Sequence, residues 1–138
     1  MLPRTTGNLL LALSLISMVM APRAAWATGE IFCQATDGSG ASIDIGIGRV
    51  PFLAVLDATA TDGHTVWSTN STGTQIPIIF AQGFMGNRQV LADFSDPNAE
   101  RIVVSLRLFQ ASGDKQFAEA GVLSFEGTSV FPVVCESG

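Results

Sequence analysis

The sequence predicts an all-β fold: a single-domain antiparallel β-sandwich or open barrel of about eight to nine strands, its termini stapled by a disulfide. Three observations predict it. Short runs rich in Val, Ile, Thr and Phe recur between clusters of Gly, Asp, Asn and Ser, the punctuation of strands and tight turns. Inside those runs the character alternates: Ile43, Ile45 and Ile47 oppose Ser42, Asp44 and Gly46, and Ile102, Val104, Leu106 and Leu108 oppose Ser105 and Arg107. A period of two puts one side of each strand on a core and the other in water. Finally, the chain has just two cysteines, Cys33 and Cys135, an even pair suited to one bridge in an oxidising compartment.

The first 27 residues read as a cleaved secretory leader, and 28–138 as one β domain. Arg4 supplies a positive start, residues 9–21 are an apolar run, and Ala25-Trp26-Ala27 offers small residues at both positions that signal peptidase reads. A spanning helix needs about 20 apolar residues. This run is shorter and ends at Pro22 and Arg23, and Glu30-Ile31-Phe32 before Cys33 is no lipobox. The expectation is an exported protein, periplasmic or secreted, with no stable membrane span after cleavage.

Strands are expected over 31–35, 41–47, 52–59, 65–69, 75–81, 89–94, 102–110, 118–125 and 129–135. Turns are expected at Asp37-Gly38-Ser39-Gly40, Thr61-Asp62-Gly63, Asn70 to Gly73, Gly86-Asn87, Asp96-Pro97-Asn98, Gly113-Asp114 and Gly127. Residues 95–101 read as a tight loop or one helical turn. In the first and last strands Ile31, Cys33 and Ala35 share a side, as do Phe131, Val133 and Cys135, so both cysteines lie among apolar neighbours. Their bridge closes a loop of 102 residues, for which the chain-entropy account gives about 4–5 kcal/mol. Two stretches, 50–56 and 76–85, are more apolar than a half-exposed strand requires; they read as central strands buried on both faces or as partner surfaces. Strict alternation over 117–125 puts Glu119 on the face of Leu123 and Phe125. An unpaired buried carboxylate costs several kcal/mol, so a bulge at Gly121 that turns Glu119 outward, or a strand start there, is expected.

Charge narrows the function classes. Without Arg4 and Arg23, five cations face twelve acids, a net of −7 for residues 28–138. The cations are scattered, which disfavours nucleic acid, whose phosphates require clustered Lys and Arg. No catalytic constellation is legible. His64, the only histidine, sits at a turn without a visible partner. No nucleophile elbow occurs, Gly46-Ile47-Gly48 has neither a following helix nor a third glycine, and Asn70-Ser71-Thr72 reads as a polar turn. No cofactor is expected. Asp93, Asp96, Asn98 and Glu100 are weak calcium candidates: oxygen donors within eight residues, without the spacing of an EF-hand. Phe84 and Met85, between glycines, and Trp67 are the candidate interaction surface.

The function these readings favour is a non-enzymatic exported β domain that binds a protein or glycan of the cell envelope. The end-to-end cysteine pair on a compact β domain resembles, in architecture, the periplasmic inhibitors of c-type lysozyme. That family's serine–glycine–aromatic loop motif is not found, and the chain has no Tyr. The resemblance implies the alternative of a secreted inhibitor of a hydrolase. A small hydrolase or calcium-binding domain is the third class, resting on His64 or on the acids between Asp93 and Glu100.

Overall fold

The structure is a computed structural model that describes residues 28–127 and 129–138; the leader read at 1–27 lies outside the described residues. Ten strands form: β1 (Thr28–Ala35), β2 (Ser42–Gly48), β3 (Ala54–Thr61), β4 (Val66–Ser68), β5 (Ile76–Pro77), β6 (Ile79–Met85), β7 (Gln89–Ser95), β8 (Ile102–Ser112), β9 (Phe117–Phe125) and β10 (Ser129–Ser137). They make a single sheet in the order β5-β4-β3-β2-β1-β10-β9-β8-β7-β6. Pairing is antiparallel except for the short β4–β5 contact. The sheet curls into a nearly closed barrel, and the described residues contain no helix.

Two meanders build this sheet. Strands β1 to β5 step away from the centre on one side, and β6 to β10 step back toward it on the other. Short polar turns favour sequential antiparallel neighbours. Side chains shape those turns: Asp37 Oδ1 accepts the Ser39 N–H, and Asp62 Oδ1 accepts those of His64 and Thr65. The halves meet where β1 pairs with β10, and there Cys33 lies directly opposite Cys135. Their sulfurs are bonded, with Cα atoms 4.1 Å apart.

The inward set of each alternation supplies the core. Ile31, Cys33, Ile43, Ile45, Val90, Phe94, Val104, Leu106, Leu108, Leu123 and Val133 are buried in one cluster drawn from both meanders. Only curling brings the inner faces of outer strands such as β3 and β7 together around one core.

Three local expectations are corrected. The strand expected over 75–81 is two elements. Pro77 has no N–H to continue a ladder, so β5 ends there; Ile78 is buried, donates its N–H to the Ser68 carbonyl, and carries the chain across to β6. The apolar stretches are not central strands. Within 50–56 Leu53 is buried while Val50, Phe52 and Leu56 are exposed, and β6 is the outer strand of the second meander. The expected bulge or strand start at Gly121 is absent, since β9 keeps continuous register with both β8 and β10. Glu119 therefore faces inward and is buried. Its two oxygens accept hydrogen bonds from Gln110 Nε2 and Ser137 Oγ, which removes most of the cost of burial. Gly121 serves a different need: a Cβ there would collide with the Arg107 carbonyl, so glycine lets β8 and β9 approach at the curl. Bulges lie elsewhere, between Gly46 and Ile47, between Phe80 and Gln82, and between Phe94 and Ser95.

Replacing both Cys33 and Cys135 by Ala is expected to lower unfolding stability by about 4–5 kcal/mol through the entropy restored to the unfolded chain. Urea unfolding measures this, and an unchanged midpoint would show that the β1–β10 ladder holds the ends without covalent help.

Candidate functional site

The outward faces of β1, β2, β3 and β10 form an open groove of about 830 Å³. Glu30 and Phe32 come from β1, Asp44 and Gly46 from β2, Leu56 and Asp57 from β3, and Glu136 from β10. Strand register brings them together. Glu30 pairs with Gly46, which pairs in turn with Asp57; Phe32 lies between Asp44 on one side and Glu136 on the other. All except Leu56 occupy the outward positions of the alternation that buries Ile31, Cys33, Ile43 and Ile45.

Two local features open the groove. A Cβ on Gly46 would stand 2.7 Å from Asp57 Oδ1, so the bare glycine lets that carboxylate lean across β2 toward β1. Beyond it the β2–β3 register shifts from Gly46 opposite Asp57 to Ile47 opposite Val55. Leu56 is the extra residue, and it is 57 % exposed at the groove wall. Extra residues of this kind re-aim a side chain.

Four carboxylates thus line the groove, and among the described residues no cation lines it. The charge of Asp44, its hydrogen bond with Glu30, slight burial and the charge of Asp57 all push the Glu30 carboxyl above its ordinary value. An acid whose value is raised on folding is held less well as an anion by the folded state. Its penalty is absent in acid, where Glu30 is protonated folded or unfolded, and complete once pH exceeds the raised folded value.

The residues singled out from sequence do not converge. Asp93 faces outward on β7 yet is buried, and its carboxylate takes hydrogen bonds from Arg107, Gln82 and Ser105, the Arg107 Nη1 contact being 2.7 Å. Burial pushes this carboxyl up; the bonds from Arg107, Gln82 and Ser105, with the Arg107 charge, outweigh it and hold the group below its ordinary value. Asp96 Oδ1 caps its own loop through the Glu100 and Arg101 N–H groups. Asn98 and Glu100 are exposed. Among the described residues no three His, Cys, Asp or Glu side chains are placed to hold a metal. His64 is exposed at its turn. Phe84 is 51 % exposed on β6, whereas Met85 packs against the core. Trp67 is far from them in the sheet order, on β4, with its ring 4.6 Å from that of Phe125.

Sequence reading missed Glu30, Asp44, Asp57 and Glu136 as a group. The available signal was their outward parity beside Gly46; their convergence depends on the β1–β10 register, which pairs opposite ends of the chain. No helix of the described residues is long and apolar enough to cross a membrane. Comparison with family models, curated proteins and solved structures finds no match.

Two outcomes test these electrostatics. Asp44→Asn is expected to return Glu30 toward its ordinary carboxylate value, read by carboxyl-carbon NMR titration; an unmoved Glu30 would remove Asp44 as the cause. Arg107→Ala is expected to cost about 1.5–3 kcal/mol at neutral pH by leaving Asp93 buried without its cation. The stabilisation from Asp93 is present above its unfolded value of about 3.9 and lost as pH falls through the lower folded value. The gap between parent and variant in urea unfolding should therefore narrow as pH falls below that unfolded value.

Proposed function

We propose that the protein is a non-enzymatic exported β domain that binds a cationic partner of the cell envelope through the acidic groove. The observation carrying this reading is the convergence of Glu30, Asp44, Asp57 and Glu136 from four strands with no cation among the lining residues. Like charges at this spacing cost the free protein stability, and an arriving ammonium or guanidinium relieves them. Phe32 and Leu56, both partly exposed within the same lining, offer apolar contact for the aliphatic stem of Lys or Arg. The net negative charge of residues 28–138 adds long-range steering of a basic partner. Export is supported by the leader-like start and by a disulfide of the kind that persists in oxidising compartments.

A basic hydrolase of the lysozyme kind meets the same charge requirement, and the groove gives the inhibitor alternative a surface to act through. The two readings share a site and differ in consequence, since inhibition also requires that binding occlude a catalytic cleft.

Calorimetric titration with a hexa-arginine peptide tests the groove. Binding is expected in the range of about 10–100 μM at low salt and should weaken strongly by ~150 mM salt as screening sets in. The Asp44→Asn, Asp57→Asn double variant should abolish it, and hexaglutamate should not bind. Equal affinity in the double variant would sink the groove reading. In parallel, a cationic lysozyme that keeps full activity at stoichiometric protein would remove the inhibitor class.

A further inference from the structure

A second cavity lies where the two meanders close on each other. It holds about 380 Å³ and is lined by Trp67, Ile76 and Pro77 from β4 and β5, and by Asp96, Pro97, Arg101, Val103 and Glu126 from the opposite meander. It shares no residue with the acidic groove. We propose that this seam pocket is a subsite for one ring of a neutral saccharide.

Four observations support the assignment. The volume falls within the roughly 300–1,000 Å³ of small-molecule sites. One wall is a partly exposed tryptophan backed by Phe125 at 4.6 Å, so the indole is positioned by core packing before any ligand arrives. An amphipathic indole at a pocket edge offers an apolar face for the C–H groups of a sugar ring. The rim carries donor and acceptor side by side: Arg101 Nε stands 3.4 Å from Glu126 Oε2, and the two side chains are 64 % and 41 % exposed. A guanidinium and a carboxylate at that spacing match vicinal hydroxyls, each of which donates and accepts. The mixed signs of Arg101, Glu126 and Asp96 favour a neutral polyol over an ion.

The loop presenting this rim is also strained. Ala99 has φ +58°, a left-handed conformation unusual for a residue other than Gly, Asn or Asp. Its N–H donates to the Asp96 carbonyl, and Asp96 Oδ1 accepts from the Glu100 and Arg101 N–H groups. These bonds hold the backbone that delivers Arg101 to the rim, and strain retained in this way is characteristic of binding sites. A proline-rich peptide is the rival occupant. Its recognition uses a groove lined by several aromatic rings, whereas this lining has a single aromatic residue.

The chain makes the test direct. It has two tryptophans and no tyrosine, so in the full chain carrying Trp26→Phe the intrinsic fluorescence comes from Trp67. Chitotriose, cellotriose and maltotriose are titrated as probes. At least one is expected to give a saturable change with Kd of roughly 0.1–5 mM. Arg101→Ala and Glu126→Gln, each checked for native circular dichroism, are expected to weaken that affinity about tenfold, while Asp44→Asn in the groove leaves it unchanged. If Arg101→Ala fails to fold, Glu126→Gln alone decides. Three outcomes overturn the proposal: no saturation with any of the three sugars by fluorescence and saturation-transfer NMR; undiminished binding in the rim variants; or saturation by a decaproline peptide and by no sugar. Because the linings are separate, none of these bears on the acidic groove.

Discussion

The antiparallel ladder between the first and last strands, with Cys33 bonded to Cys135 across it, holds two otherwise separate meanders in one sheet. Without it the two meanders would be joined covalently only near Pro77 and Ile78. Neither would be closed against the other, and each would present an apolar inner face to water. Closing a contact between residues 102 apart is entropically demanding, and the disulfide lowers that demand by restricting the unfolded chain. The same ladder makes the acidic groove. Glu30 and Phe32 on β1 come beside Glu136 on β10 only because the chain ends pair in this register.

Two buried acids show how this small barrel accommodates charge. Asp93 has a cation, and three side chains saturate its oxygens. Glu119, opposite Cys135 in the β9–β10 ladder, has two neutral donors instead. In both cases the partners stand on neighbouring strands at positions the ladder has already fixed, so little further entropy is lost in orienting them. Among the described residues no buried side-chain oxygen or nitrogen lacks a partner. The crowded carboxylates around Glu30 contrast with this economy. They face water, and among the described residues no cation stands in their lining.

The two concavities differ in origin as well as chemistry. The groove belongs to the outside of one continuous run of paired strands, and its character comes from like charges. The seam pocket belongs to the gap where that run fails to close completely, between β4–β5 and the loops at the ends of β7 and β9. Its walls join an aromatic ring to a mixed-sign rim. The two linings share no side chain, so each can be varied without touching the other.

Much of the fold was legible because alternation is local. The parity of Ile43 and Ile45, or of Val104, Leu106 and Leu108, says which side of each strand is buried, and they are buried as that parity requires. The disulfide was legible for a similar reason, since two cysteines on apolar faces in an even count have one way to pair. By itself the sequence determined the strand pattern, the turn chemistry, the covalent staple and the excess of acid. Tertiary structure alone decided between sandwich and barrel, which depends on how far one sheet curls. It decided the fate of Glu119, because the donors Gln110 and Ser137 lie on other strands. It decided that Asp93 is bonded by Arg107, Gln82 and Ser105 and stands apart from Asp96, Asn98 and Glu100. Both candidate sites fall in this second class, for one physical reason: their residues are gathered by register between strands remote in sequence, and register is set by the closure of the whole sheet.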